Sequence, residues 1–185
     1  MKTIKKLFST ALLAGAFLFT SSVRAQSGGD FMTIMHQGMQ DMQNMQTTGD
    51  PDNDFAMILR RHHEAAIAMA NIEVSNGKDA QLKALAKKMI AEQTKDNKEL
   101  DVFLSSHTAH SNSDFGQTAK TMMSQSSMNM NMSGDVDKDF AMMMTEHHSD
   151  GIKMAREYLK SGKEQKMIKM ANKNIASQTQ DIKKM

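Results

Sequence analysis

Cysteine is absent from all 185 residues, which rules out disulfides, thiolate metal sites and thiol nucleophiles. Tryptophan is absent as well, Tyr158 is the single tyrosine and Pro51 the single proline. Any core must therefore be built from aliphatic residues, phenylalanine and methionine. No segment shows the two-residue apolar alternation of a half-buried strand. No strand-turn-helix nucleophile context is visible either, so hydrolytic chemistry has no support despite plentiful Ser, His and Asp. Charge of one sign is also missing. The 23 Lys and Arg are interspersed with 21 Asp and Glu, as on solvated helix faces, and give no electrostatic footprint for nucleic acid.

What the chain has in excess is sulfur of another kind: 21 Met, alongside seven His. Residues 1–25 read as an export signal, with Lys2, Lys5 and Lys6 before an apolar run from Leu7 to Phe19, and Val23-Arg24-Ala25 as a small-x-small cleavage pattern. The run is too short for a membrane-spanning helix. Cleavage near Ala25 removes Lys2, Lys5, Lys6 and Arg24 and no acid, so the formal balance moves from +2 to −2. The expectation is a periplasmic or secreted chain with no stable membrane insertion and no nucleic-acid partner.

The chain spells one stretch twice. Asp54-Phe55-Ala56-Met57, then His62-His63, Ile67 and Met69, returns 85 positions later as Asp139-Phe140-Ala141-Met142, then His147-His148, Ile152 and Met154. Downstream, Gly77-Lys78 answers to Gly162-Lys163, Gln93-Thr94 to Gln178-Thr179, and Asp96 to Asp181. Internal repetition of this kind sets the domain plan. Residues 26–53 form a Met-rich leader, 54–106 and 139–185 two helical hairpins, and 107–138 a linker rich in Met, Ser and Asn. Each hairpin has a connection of a few residues, so its helices run antiparallel, and two hairpins joined by a long crossover give an all-α, antiparallel four-helix bundle. The first helix is expected from about Asp54 to Asn76, capped by Asp52 or Asp54 and ended by Gly77, and the second from about Asp79 to Ser106. The second hairpin is expected over 139–161 and from 164 to the C-terminus.

Residues seven apart on a helix nearly superimpose in azimuth. His62 and Met69 thus share the apolar stripe of Phe55 and Ile58, and His147 and Met154 that of Phe140 and Met143. Met143 and Met144 stand one turn before the second His pair, where the first copy has Ile58 and Leu59. Imidazole suits several transition metals and thioether selects Cu(I), so the candidate ligands are His62, His63, Met69, Met143, Met144, His147, His148 and Met154. Gln93, Asp96, Gln178 and Asp181 fall on the facing stripes, where they would orient the imidazoles through their other nitrogen. The same groups could equally satisfy one another as ordinary buried hydrogen-bond partners. Met32, Met35, Met39 and Met42, with His36, recur along the leader and would line one face of a helix over about 31–46. That face either packs on the body or collects metal. The run Met128-Asn129-Met130-Asn131-Met132 is similarly open between a polar linker and soft-metal capture.

The pattern His-His-x-x-x-Ile-x-Met-Ala, followed by Gly-Lys-Asp, Leu-x-x-Leu-Ala, Ile-x-x-Gln and an acid three residues on, resembles the ferritin-like domain of unknown function 305 family, which includes periplasmic copper-binding proteins. The resemblance covers both hairpins. It implies a ferritin-like bundle, with His and Met ligands for copper in its copper-binding members. Two departures stand out: the Pro that often precedes the His pair is Arg61 and Glu146 here, and the paired Met is missing from the first repeat. The expected function is copper resistance or homeostasis by sequestering or delivering Cu(I), with Ag(I) and Cu(II) as the other ions accepted, no catalytic turnover, and a copper exporter or another periplasmic copper protein as partner. The alternatives are a metal-free structural or interaction module and a ferritin-like redox enzyme. The latter needs Glu-x-x-His motifs, and no Glu stands three residues before any His.

Overall fold

The computed structural model describes the backbone of residues 22–110, 112–125 and 130–185, with side chains from residue 29 onward in those ranges. The expected export segment up to residue 21, and Met128 with Asn129, lie outside the described residues. Six helices and no strand occur among the described residues: α1 Ser22–Asn44, α2 Pro51–Asn76, α3 Ala80–Ser106, α4 Phe115–Ser124, α5 Val136–Tyr158 and α6 Gln165–Ile182. The chain is all-helical, as its sequence leads one to expect. No described helix is long and apolar enough to cross a membrane.

Helix starts follow their caps. Asp50, not Asp52 or Asp54, caps α2: its Oδ1 accepts the backbone N–H groups of Asp52 and Asn53, each at 3.0 Å. Pro51 then occupies the first helical position, where its missing N–H costs nothing, so α2 begins three residues earlier than expected. Asp79 caps α3 in the same way, through Gln81 at 2.7 Å and Leu82 at 2.9 Å. In the second hairpin α5 is capped by Asp135 and also starts three residues early, ending at Tyr158. The largest departure is α4. Its Ser/Asn-rich surroundings read as linker, yet Phe115, Ala119 and Met123 stand at four-residue spacing and are buried.

The packing is antiparallel throughout the body. Arg60 meets Asp101 and His63 meets Asn97 between α2 and α3. His62 meets His147 and Phe55 stacks on Tyr158 between α2 and α5, and Lys88 with Asp181 and Asp96 with Lys173 connect α3 to α6. Two apolar clusters result. One gathers Phe55, Leu100, Phe103, Phe115, Met154, Tyr158 and Met167. The other gathers Phe31, Met69, Met89, Phe140, Met143 and Met144. Each large side chain buried in them contributes about 1.5–3 kcal/mol relative to exposure. Both α1 and α4 contribute to this core, through Phe31 and Met42 and through Phe115 and Met123. The leader therefore packs on the body, and His36 points out to solvent.

Local structure recurs at the 85-residue spacing. Asp54 holds the turn before α2 by accepting from Thr48 N, Thr48 Oγ1 and Gly49 N. Asp139 holds the turn before α5 through Ser133 N, Ser133 Oγ and Gly134 N. Gly49 and Gly134 have φ of 78° and 75°, a left-handed conformation that favours glycine.

Each hairpin turn is also gripped by the opposite hairpin. Asp52, in the first turn of α2, accepts from Lys163 N and Glu164 N at 3.0 Å each and from the Tyr158 hydroxyl. Asp137, in the first turn of α5, accepts from Lys78 N at 2.8 Å and Asp79 N at 2.9 Å. Where the first latch has Tyr158, the second has Glu73. Glu73 is fully buried and neither oxygen makes a hydrogen bond of acceptable geometry. Burial, then the Asp137 charge facing it, pushes its pKa up to about 7, against the opposing pull of Lys83. Burial and the Asp137 carboxylate together favour the protonated form of Glu73, whereas the Tyr158 hydroxyl is neutral as it donates to Asp52.

A group whose pKa is raised on folding stabilises most below its unfolded value and loses that contribution as pH rises through the folded value. Wild-type stability relative to a Glu73→Gln variant should therefore fall as pH rises from about 4.5 to about 7, and then level off. Urea unfolding of both proteins across this window checks it. A constant difference would show that Glu73 does not hold a proton in the folded chain.

Candidate metal centre

Along α2 the residues of one apolar cluster end at Leu59 and those of the other begin at Ala66; along α5 the corresponding limits are Met144 and Met154. The two His pairs occupy the gaps. His62, His63, His147 and His148 are 2, 2, 4 and 0 % exposed. Burial pushes all four imidazoles down, His62 and His148 to about 3, His63 to about 4 and His147 well below its ordinary value. All four are thus neutral at pH 7, the form that binds metal.

Adjacent helical residues point about 100° apart, and the two members of each pair face different neighbours. His62 and His147 stack, ring centroids 3.7 Å apart and planes at 29°. His62 Nε2 lies 3.0 Å from the His147 carbonyl oxygen. A carbonyl only accepts, so Nε2 carries the proton and donates it. His62 Nδ1 is then an unprotonated lone pair, and it has no partner; His147 Nδ1 has none either. The close approach depends on Gly151, since a Cβ there would sit 2.7 Å from His62 Cε1 and 2.5 Å from Gln178 Oε1.

His62 and His147 line a cavity of about 30 Å³. Its other walls are Met35, Met39 and Met42 from α1 and Met123 from α4, with Gly38, Ala65 and Asp150. Two imidazoles and four thioethers are a soft donor set. Among the described residues no group of three or more His, Cys, Asp or Glu is placed to hold a metal ion; this cavity differs in offering sulfur.

The sequence-derived ligand set is only partly brought together. His62 and His147 meet. Met69, Met143 and Met144 pack in the apolar cluster around Phe31 and Phe140, and Met154 lies in the other, around Phe55 and Tyr158. None of these four lines the cavity. The thioethers that do come from the leader stripe and from Met123. The spacing of Met35, Met39 and Met42 signalled the first three, and the α4 stripe could have signalled Met123.

His63 and His148 turn towards α3 and α6. His63 Nδ1 lies 3.1 Å from Asn97 Oδ1, whereas both ring nitrogens of His148 lack a hydrogen bond. None of the four expected orienting groups hydrogen-bonds an imidazole. Asp96 bonds Lys173, and Asp181 pairs with Lys88 at 3.4 Å. Gln93 Oε1 and both polar atoms of Gln178 are unpartnered. The imidazoles that are oriented take Asn97 and a backbone carbonyl instead.

A family model described as domain of unknown function (DUF305) matches residues 18–104 and again residues 52–185. No curated protein and no solved structure matches the chain.

Gly to Ala inside a helix ordinarily stabilises by about 1 kcal/mol. At position 151 the added methyl must displace His62 and Gln178, so Gly151→Ala should destabilise by about 1–3 kcal/mol. Chemical denaturation measures it, and a stabilised variant would mean that His62 does not pack against α5 as described.

Proposed function

The chain belongs to the domain of unknown function (DUF305) family, a description that assigns no activity, and we propose that it is a periplasmic carrier that sequesters or delivers Cu(I) without catalytic turnover. The observation that carries this reading is the cavity lined by His62 and His147, whose Nδ1 atoms make no hydrogen bond, together with Met35, Met39, Met42 and Met123. Cu(I) is the biological ion that such a nitrogen and sulfur set prefers, and Ag(I) is its redox-inert stand-in. Because the imidazoles are neutral at pH 7, binding displaces no proton from them. Asp150 at the cavity wall would offset the charge of a buried monovalent ion.

On this reading the two repeats form a ferritin-like four-helix bundle of duplicated hairpins, with α1 and α4 packed outside it as the sulfur-bearing wall. Met35 and Met39 are half-buried, and so can pass an ion between solvent and the imidazoles. The N-terminal export pattern supports a periplasmic location, where a copper exporter or another copper protein would be its partner.

Anaerobic titration with Cu(I) or Ag(I) against a competing chelator tests the proposal. Wild type should bind tightly, and affinity should drop at least about tenfold when Met35, Met39 and Met42 become Leu or when His62 and His147 become Phe. A Met69→Leu/Met154→Leu variant should bind as wild type does. No binding by the wild type would sink the copper reading and leave the His pairs as structural groups. Loss of binding in the Met69/Met154 variant would move the ligands to the apolar stripes.

A further inference from the structure

The cavity uses only one member of each His pair. On the other side, between α3 and α6, lies a second group of buried polar atoms that packing leaves without partners: both ring nitrogens of His148, Oε1 of Gln93, and both polar atoms of Gln178 and of Asn174. These residues are between 0 and 7 % exposed. Gln93, Asn174 and Gln178, with Asp96 and Asp181, are on the wall of a space of about 10 Å³, about the size of one ion or one water; Lys173 on the same wall holds Asp96, and His148 stands behind the wall, against Asp181. The repeat explains why His148 is left over. His63 bonds Asn97, and the residue 85 positions after Asn97 is Ile182, which offers no such bond.

We infer that this face holds a second cation site, for a divalent first-row ion that prefers nitrogen and oxygen donors, with Zn(II) as its probe. The spacing of His148 and Asp181 points to it. His148 Nε2 and Asp181 Oδ2 are 3.9 Å apart. A direct hydrogen bond would bring them to about 2.9 Å, and a bridging water would hold them about 4.6 Å apart. Two donors on one tetrahedral Zn(II), with bonds of about 2.0–2.2 Å, lie about 3.4 Å apart. The observed distance is nearest the last of these, and a half-ångström adjustment closes it. Lys88 engages the other carboxylate oxygen, Oδ1, at 3.4 Å, so Oδ2 is free for an ion. The amide oxygens of Gln178, Asn174 and Gln93 are the available further donors. Thioether is nearly lacking here: Met89 alone among the lining residues carries sulfur. This inference does not rest on the copper reading, because it uses other residues and another class of ion.

The test is titration of the full chain with Zn(II) against a chromophoric chelator, with Co(II) as a spectroscopic substitute. We expect one equivalent of Zn(II), and a Co(II) spectrum of nitrogen and oxygen ligation. Affinity should fall at least about tenfold in Asp181→Asn and in Gln178→Met, and should hold when Met35, Met39 and Met42 are Leu. Gln178→Met removes two orphaned polar atoms, so its metal-free Tm should match or exceed that of wild type, which separates lost binding from lost folding. No Zn(II) binding by the wild type would overturn the site and identify the space as a water pocket. Binding that survives both substitutions, or that disappears with the Met variants, would overturn it too. Ag(I) titration of the same variants reads the thioether cavity alone, so failure of either proposal is visible by itself.

Discussion

A belt of buried polar groups divides the core in two, and the rest of the molecule is built to tolerate it. His62, His63, Gln93, Asp96, His147, His148, Asp150, Asn174, Gln178 and Asp181 are all less than a tenth exposed, and they lie between the cluster of Phe55 and Tyr158 and that of Phe31 and Phe140. An orphaned buried polar atom costs about 1–3 kcal/mol, and this belt holds several, enough together to rival the 5–15 kcal/mol net stability of an ordinary domain. A core with no use for such atoms would replace them by Leu or Met of similar shape at little cost. The apolar clusters on either side, extended by α1 and α4, supply the stability that lets the belt persist.

The repeated sequence acts through cross-contacts rather than through two separate halves. The first turn of α2 holds the turn between α5 and α6, and the first turn of α5 holds that between α2 and α3. Lys88 and Lys173, which are repeat equivalents, reach Asp181 and Asp96 across the α3–α6 face. The places where the copies differ are where the structure gains something specific. Gly151 stands where the first copy has Ala66, and it admits the His62 ring. Glu73 stands where the second copy has Tyr158, and it sets a buried carboxyl, its pKa raised by burial and by the Asp137 charge, beside the second latch.

The helical class and the buried His pairs were legible because caps and apolar stripes are local signals. Asp79 before α3 and the Phe55, Ile58, His62, Met69 azimuth needed nothing beyond chain spacing. Ligand assignment was less legible, because spacing along a helix gives azimuth but does not say which element faces it. Met69 and Met154 share the azimuth of their His residues, yet two turns of helix carry them out of the belt and into opposite clusters. Met35, Met39, Met42 and Met123 have no sequence proximity to any member of the His pairs, and only tertiary packing of α1 and α4 brings them there. The start of α2 was misplaced for a simpler reason: three acids precede Phe55, and the choice among Asp50, Asp52 and Asp54 depends on Pro51 taking the first helical position and on Asp52 and Asp54 having other partners.

The doubled histidine has a geometric consequence that a single one could not provide. Two neighbours on a helix diverge by about 100°, so an adjacent pair at the centre of a bundle presents one ring to each of two interfaces. Here the first ring of each pair lines the cavity walled by thioethers, and the second faces an amide or a carboxylate, Asn97 for His63 and Asp181 for His148. Ligand softness selects between ions more sharply than affinity alone, since nitrogen and oxygen sites of one geometry rank divalent metals in a fixed order. On the proposed reading, the sulfur side would discriminate for monovalent copper and the oxygen side for a divalent ion. The separation is only one residue of chain, so the two sites share their supporting helices, and a shift of α2 or α5 on loading one would be felt at the other.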